Sequence, residues 1–459
     1  MKIIILGAGQ VGRTAAAKLS REEANEVTVV DNDEEVLREL QDRLDVRTIA
    51  GNACSPAVLE SAGGTEADMI VALTNSDEIN MVACQVAWNV FRTPKKIARI
   101  RKPDYLNREQ LFGEGAAFAI DVCISPETLV VDYIERLIRY PGAVQVVDFA
   151  DGRARLVGVR AAKGSPLVGS ALRSLREHMP KTDVRVAAIF RRGRSIIPDG
   201  DTVVEPDDEV FFVAATPDIK TMMRELRRNE APLKRVLIAG AGNIGLRLAQ
   251  ALEEKNQVKL IERDPRRARR AAALLRSTIV LTGDAADEEL LLEENIDSMD
   301  VFCAVTNAEE ANILSSLLAK KLGATKVMAL INRPAYADMM ENDRIDVAIS
   351  PQTITIGSLL EKVRRGDVVR VHSLRRGTAE AIEAIVHGDP RISRVVGRTI
   401  EQVPLPPGAS IGAVVRGDEV MMAHHDICLE EGDHVILFIT DSRHVEAVEK
   451  LFQAPPSLL

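Results

Sequence analysis

Short apolar runs alternate with stretches whose apolar residues recur at helical spacing, beginning at the second residue. Lys2–Leu6 (KIIIL) is the first run, and Val27-Thr28-Val29-Val30 is the second. Further runs lie at Val46–Ala50, Met69–Leu73, Lys96–Ile100 and Val122–Ile124. Between them, Glu34–Leu44 places Val36, Leu37, Leu40 and Leu44 on one helical face. A second helix is expected near Pro56–Ala62, stopped by Gly63-Gly64. Ser76-Asp77-Glu78-Ile79-Asn80 reads as a helix start with its cap residues. Strands alternating with helices at this spacing predict a doubly wound parallel sheet. Glu127–Arg139 is amphipathic, ends at Pro141-Gly142, and reads as a packing or crossover helix. From Ala143 to about Leu226 the runs shorten, at Val144–Phe149, Leu156–Arg160, Val184–Phe190 and Glu209–Ala214. Turns such as Asp151-Gly152 and Arg192-Gly193 separate them, which predicts a small α+β module. Asn229-Glu230-Ala231-Pro232 reads as a linker.

The pattern then starts again. Lys2–Gly12 (KIIILGAGQVG) returns as Arg235–Gly245 (RVLIAGAGNIG). Thr74-Asn75 returns as Thr306-Asn307 and Asn80 as Asn312, each 232 positions on. Gly51-Asn52-Ala53 returns as Gly283-Asp284-Ala285, Pro103-Asp104-Tyr105 as Pro334-Ala335-Tyr336, and Ser125-Pro126 as Ser350-Pro351. The β-rich module returns too, with Ala188–Arg191 against Ala413–Arg416 and Asp208-Glu209-Val210 against Asp433-His434-Val435. The fold class expected is α/β, with two doubly wound Rossmann-like parallel-sheet domains, each followed by a small α+β module. The boundaries expected are 1–124, a crossover helix at 125–142, 143–228, 233–349, a second crossover helix at 350–366, and 367–453.

Each Rossmann-like copy opens with G-x-G-x-x-G directly after a strand, a phosphate-binding pattern. Gly7 serves the tight turn, Gly9 the approach of a pyrophosphate, and Gly12 the close packing of the next helix. An anion is then favoured at the helix N-terminus by unpaired N–H groups and the helix dipole. The second strand of each copy ends in an acid, Asp31 or Glu262, which lies 22 positions after Gly9 or 20 after Gly242. That is where a ribose hydroxyl pair is read. Asp31, Asn52, Thr74 and Arg99 all fall at or near strand ends, where ligands of such sheets bind.

Composition narrows the function classes. With 46% hydrophobic and 28% charged residues, the chain is globular. A net charge of −9 and 3% aromatics argue against a general nucleic-acid surface. Cys54, Cys84, Cys123, Cys303 and Cys428 form no metal-ligand spacing and read as reduced, buried thiols. No apolar run approaches the roughly 18 residues of a membrane span, so any membrane role is expected to be peripheral. Met1-Lys2-Ile3 enters the first strand directly, leaving no room for a signal peptide.

Catalytic groupings are sparse. The first histidine is His178 and the next His372, so neither Rossmann-like copy holds one. A dehydrogenase needs a proton donor facing the nicotinamide, and Lys or Tyr remain available for it. No nucleophile–base arrangement or G-x-x-x-x-G-K-[ST] loop is present. The arginines Arg263, Arg266, Arg267, Arg269 and Arg270 read as a solvated helix face, and His424-His425 as surface residues. No catalytic residue and no metal site is assigned.

The two glycine loops, the stretches LTNSDEIN, VTNAEEAN and IARIRKPDY, and the duplicated small modules resemble the RCK (KTN) family. Within it the tandem arrangement is similar to the peripheral nucleotide-binding subunit of bacterial Trk potassium uptake systems, over essentially the whole chain. The resemblance implies alternating RCK N-terminal and C-terminal domains and a regulatory subunit rather than an enzyme. It implies NAD(H) and ATP/ADP as ligands and a ring-forming homo-oligomer, a tetramer of tandem chains. It implies a membrane-embedded potassium transporter subunit of the Trk type as partner, at the cytoplasmic face of the inner membrane. Carried over, the nucleotide positions of the first copy are Gly7, Ala8, Gly9, Gln10, Val11, Asp31, Leu73, Thr74 and Arg99. Those of the second are Gly240, Ala241, Gly242, Asn243, Ile244, Glu262, Asp284, Val305 and Thr306. Two positions depart: Asn52 stands where the second copy has Asp284, and Leu330 stands opposite Arg99. The expectation is that the first site favours the more highly charged ligand. The alternative from another class is an NAD-dependent oxidoreductase with duplicated Rossmann domains.

Overall fold

The computed structural model describes residues 1–21, 25–113, 115–228, 231–333, 336, 344–363, 368–374, 379–388, 393–423, 426–440 and 444–452. Asn229-Glu230, Pro334-Ala335 and His424-His425 lie outside the described residues.

The first sheet is built from β1 (Lys2–Leu6), β2 (Glu26–Asp31), β3 (Arg47–Ala50), β4 (Met69–Ala72), β5 (Lys95–Arg99) and β6 (Val122–Ile124). Its order is β3-β2-β1-β4-β5-β6, and its pairings are parallel. The helices between are α1 (Gln10–Leu19), α2 (Glu34–Gln41), α3 (Pro56–Ser61), α4 (Asp77–Phe91) and α5 (Pro103–Leu106). The order reverses on either side of β1, whose carboxyl end opens a crevice between β2 and β4. The central strands β1 and β4 are buried on both faces, which is why they read as continuous apolar runs. Helix α2 ends at Gln41, before the expected Leu44, because Asp42–Leu44 turn toward β3.

A long helix, α6 (Pro126–Arg139), leads to the first small module. The module holds β7 (Ala143–Phe149), β8 (Ala154–Arg160), α7 (Leu175–His178), β9 (Val184–Arg191), β10 (Arg194–Ile196), β11 (Glu209–Ala215) and α8 (Ile219–Leu226). Its sheet is antiparallel, in the order β10-β9-β11-β8-β7. The short edge strand β10 lacks an apolar run and follows the Arg192-Gly193 turn, so the pattern alone misses it.

The second half repeats this plan. Its parallel sheet runs β14 (Ile279–Thr282), β13 (Gln257–Glu262), β12 (Arg235–Ala239), β15 (Val301–Ala304), β16 (Lys326–Leu330), β17 (Val347–Ile349). Around it lie α9 (Asn243–Leu252), α10 (Pro265–Leu274), α11 (Glu288–Glu293) and α12 (Glu309–Lys321). Then come α13 (Pro351–Val363), β18 (Val368–Leu374), β19 (Ala379–Ile385), β20 (Ala409–Arg416), β21 (Glu419–Met422), β22 (His434–Ile439) and α14 (Val445–Phe452). The second small sheet has the order β18-β19-β22-β20-β21, which is the first one read in reverse.

The chain divides into two compact units. One comprises Met1–Val131 with Leu330–Ala337 and Ile349–Lys362; the other holds the rest. Helix α13 therefore belongs with the first Rossmann-like sheet, not with the sheet that precedes it in sequence. Gln352 on α13 donates from Nε2 to Thr14 Oγ1 at 2.6 Å, on helix α1. In the other unit, Lys326 Nζ donates to the carbonyls of Ala143 (2.8 Å) and Leu137 (3.4 Å), at the far end of α6. That unit also contains both small modules, and one apolar core serves both. Phe149, Leu156, Phe190, Phe211 and Val213 from the first meet Leu374, Ala381, Val415, Ile436 and Phe438 from the second.

The expectation of buried thiols holds for Cys84 and Cys303. Burial pushes the Cys303 thiol up to about 12 and raises the Cys84 thiol as well. Cys54 and Cys123 are half-buried and Cys428 is exposed, because Cys123 lies on the edge strand β6 and the other two lie in loops. Among the described residues, no helix is long and apolar enough to cross a membrane.

Candidate functional site

Both glycine loops sit at the carboxyl end of the central strand. Gly7 has φ +100° and Gly240 φ +105°, backbone that a side chain resists. A Cβ on Gly7 would lie 3.0 Å from the Leu73 carbonyl, so the loop presses directly on the end of β4. A Cβ on Gly12 would lie 1.9 Å from the Gly7 oxygen, and one on Gly245 1.8 Å from the Gly240 oxygen. The third glycine therefore lets the helix fold onto its own loop. The middle glycine differs. A Cβ on Gly9 or Gly242 would meet nothing within 4 Å. Each is the N-cap of its helix, and neither cap has a side-chain hydrogen bond. The first-turn N–H groups of α1 and α9 thus face open ground, the arrangement an anion needs.

The acids at the second strand ends hold these loops. Asp31 Oδ2 accepts from the Ala8 N–H at 2.6 Å and Oδ1 from the Asp33 N–H at 3.0 Å. Glu262 repeats this, accepting from Ala241 N–H at 2.8 Å and Asp264 N–H at 2.9 Å. Beside the first, a shallow cleft of about 660 Å³ is lined by Asp31, Asn32, Asp33, Glu34, Glu35 and Arg38. Asp31 is half-buried, whereas Glu262 is buried.

The fourth strand end is strapped in place. Asn80 is fully buried on α4. Its Oδ1 accepts from the Thr74 N–H (3.0 Å) and Thr74 Oγ1 (2.7 Å), and its Nδ2 donates to the carbonyls of Arg99 (2.9 Å) and Thr74 (3.3 Å). Asn312 treats Thr306 the same way, at 2.9 Å and 2.6 Å. The stretch Ser76–Asn80 does open helix α4, as its pattern predicts. The cap is Ser76, whose hydroxyl accepts from the Ile79 N–H, while Asn80 reaches back to join two strand ends. Periodicity carries no sign of such a bond; the recurrence of Thr-Asn with a later Asn was the available clue. Truncating Asn80 to alanine leaves the half-buried Thr74 N–H without its acceptor. The expected cost is about 2 kcal/mol, read as a lower midpoint in thermal unfolding by circular dichroism.

The remaining residues fall around this frame. Gln10 and Val11 begin α1, and Asn243 and Ile244 begin α9. Leu73 and Val305 are buried, each hydrogen-bonded to the last residue of the central strand. Arg99 ends β5; its Nε is buried without a hydrogen-bond partner. Burial first, and Arg101 next, hold its guanidinium below the usual range. Leu330, opposite in the second copy, is buried. Asn52 and Asp284 are both exposed and each accepts from the N–H two residues on, at Cys54 (3.1 Å) and Ala286 (2.9 Å). The first set lies within one compact unit and the second within the other, so each copy assembles its own site. Among the described residues no cluster of metal-ligating side chains occurs.

The TrkA-N domain model matches residues 3–126 and 236–351, and the TrkA-C domain model matches 156–227 and 392–453. The chain is 58% identical over 453 residues to the Trk system potassium uptake protein TrkA of Halomonas elongata, covering 99% of each. It is 56% identical over 459 residues to the Trk system potassium uptake protein TrkA of Vibrio alginolyticus, covering 100% of each. Among solved structures it is similar in fold to one titled GsuK channel bound to NAD. That likeness has a TM-score of 0.59 at 20% identity, over 98% of this chain and 78% of that one. Tandem TrkA-N and TrkA-C matches over most of its length, together with end-to-end identity to these uptake proteins, establish that the chain belongs to the TrkA family.

Proposed function

We propose that this chain is a nucleotide-binding regulatory subunit that gates a membrane-embedded potassium transporter of the Trk type. The observation that carries the reading is the open ground above Gly9 and above Gly242, at two uncapped helix starts. Each loop would take the phosphates of NAD(H) or ATP/ADP on its backbone N–H groups. Asp31 and Glu262 would stand at the adenosine ribose, exchanging a loop N–H for a sugar hydroxyl. Gly7–Val11, Leu73, Thr74 and Arg99 would frame the first ligand. Gly240–Ile244, Asp284, Val305 and Thr306 would frame the second. The domains follow the order set out from the sequence, and the subunits assemble as a ring on the cytoplasmic face of the membrane.

Ligand then acts by population shift, and only as far as its affinity differs between two arrangements of the domains. Helix α13 offers a route: it touches Thr14 on the phosphate helix, and its chain continues into the second small module. Arg99 brings to the first site a guanidinium that the second lacks, which favours the longer phosphate chain there. Arg99→Ala is expected to weaken ATP at the first site about tenfold, a loss of one charge-assisted contact, and to leave the second unchanged. Calorimetric titration checks this. The role itself is tested in liposomes holding a Trk-type transporter subunit and this protein. Potassium flux is expected to change with NADH or ATP, and NADH is expected to be bound without being oxidised. Steady NADH oxidation with a metabolite panel would establish the dehydrogenase alternative instead.

A further inference from the structure

The two sites carry opposite charge at the end where adenosine would lie. Residues 31–39 and 262–270 are equivalent stretches, each running from the acid at the strand end along the next helix. The first stretch holds five acids, Asp31, Asp33, Glu34, Glu35 and Glu39, and one arginine, Arg38. The second holds two acids, Glu262 and Asp264, and five arginines, Arg263, Arg266, Arg267, Arg269 and Arg270. The fold is the same in both; the field at the rim is reversed.

The arginines of the second rim are unspent. All five are exposed, and none enters an ion pair among the described residues. Arg269 Nε makes only a 3.3 Å bond to the Pro265 carbonyl. In the first copy Arg38 is held by Glu34 at 3.1 Å, and Glu39 meets Arg13 at 3.4 Å. The acids of the second rim are spent. Glu262 is buried, with both oxygens on backbone N–H groups. Asp264 caps α10, accepting from Arg266 and Arg267 N–H. Arg263 follows Glu262 directly, at the lip where a ribose 2′ position would face. A guanidinium matches a phosphate with two parallel hydrogen bonds, and an arginine beside the ribose accommodates a 2′-phosphate.

We propose that the second site selects an adenosine ligand phosphorylated on its ribose, such as NADP(H), while the first excludes it. The inference rests on the reading that both loops bind adenine nucleotides. It runs against the simple rule that an acid at this position rejects a 2′-phosphate. Here that acid is buried, where Asp31 is half-buried, and it is outnumbered by arginines. The two copies then differ at both ends: Arg99 marks the phosphate end of the first site, and the arginines mark the ribose end of the second. The chain becomes a receptor for two chemically distinct signals.

The test uses the full chain in two forms, Gly9→Leu to block the first site and Gly242→Leu to block the second. Each is titrated with NADH and NADPH, and with AMP and adenosine 2′,5′-bisphosphate as the shorter pair. In the Gly9→Leu form, the 2′-phosphorylated member of each pair is expected to bind at least tenfold tighter, with the advantage shrinking as salt rises. In the Gly242→Leu form, it is expected to bind at least tenfold more weakly. Adding Arg263→Glu, Arg266→Glu and Arg267→Glu to the Gly9→Leu form is expected to abolish the preference. Arg263→Gln with Arg267→Gln serves if that combination unfolds. A Gly9→Leu protein that binds NADH as well as or better than NADPH, or binds neither, overturns the inference. So does a preference that survives removal of the arginines. A wild-type chain that binds no adenine nucleotide at all overturns the underlying functional reading instead.

Discussion

Gly9→Leu is expected to fold as the wild type does and to lose nucleotide from the first site by about a hundredfold or more, which is about 2.7 kcal/mol. Gly9 has φ −67° and ψ −176°, extended backbone open to any residue. Its Cβ would meet no protein atom, so the side chain costs the fold little. It does occupy the ground that a pyrophosphate must cross. Gly12→Ala is expected to do the opposite. Alanine is favoured over glycine inside a helix by about 1 kcal/mol. Against this stands a Cβ 1.9 Å from the Gly7 oxygen, where the obstacle is backbone that cannot swing away. Overpacking of this kind costs about 3 kcal/mol or more, so the clash wins. Urea unfolding and calorimetric titration of the two variants separate the effects. One loses ligand with its midpoint unmoved, and the other loses stability. If Gly9→Leu binds NADH and ATP normally at the first site, the loop is not the phosphate cradle.

The second large effect is expected at Asp208 and at its repeat, Asp433. Both are buried, each 1% exposed. Arg191 donates to Asp208 from Nε at 2.9 Å and Nη2 at 2.8 Å, and the Glu205 N–H donates at 2.8 Å. Arg416 and Glu430 repeat this around Asp433, with all three bonds at 2.8 Å. The guanidiniums are further fixed on the carbonyls of Val203 and Cys428, each at 2.8 Å. The bond to the carboxylate raises the pKa of Arg191 and of Arg416, so both stay charged. Asp208→Ala takes the acceptor from the Arg191 Nε and from the Glu205 N–H, leaving the guanidinium only Glu205 and the Val203 carbonyl, at a cost of about 3 kcal/mol. The midpoint of thermal unfolding in scanning calorimetry should fall. An Asp208→Ala protein that melts with the wild type would show that the pair contributes nothing.

How far the sequence leads depends on whether a feature is local. The glycine loops, the acid that follows each, and the alternation of strand and helix are local, so they are legible. The repeat made the second copy legible from the first. Arg191 and Asp208 recur at matching positions, yet nothing short of a structure pairs them. Their bond crosses between β9 and the turn before β11. Asn80 was visible as a repeated residue, but its bonds were not, because its partners lie at the ends of two different strands. Arg99 was legible as a charged strand end. That its Nε is buried without a partner follows only from what the fold packs around it. The assignment of α13 to the first unit is the least legible feature of all, since sequence neighbours suggest the other sheet.

The shared core of the small modules limits how this protein can be shortened. Phe149, Phe190 and Phe211 are covered by residues that lie beyond position 373. A polypeptide ending at the linker would carry those rings bare to water and would be prone to aggregate. It would also lack the helix that packs on its own phosphate-binding domain. Truncation at the linker thus yields a fragment rather than a simpler version of the same machine.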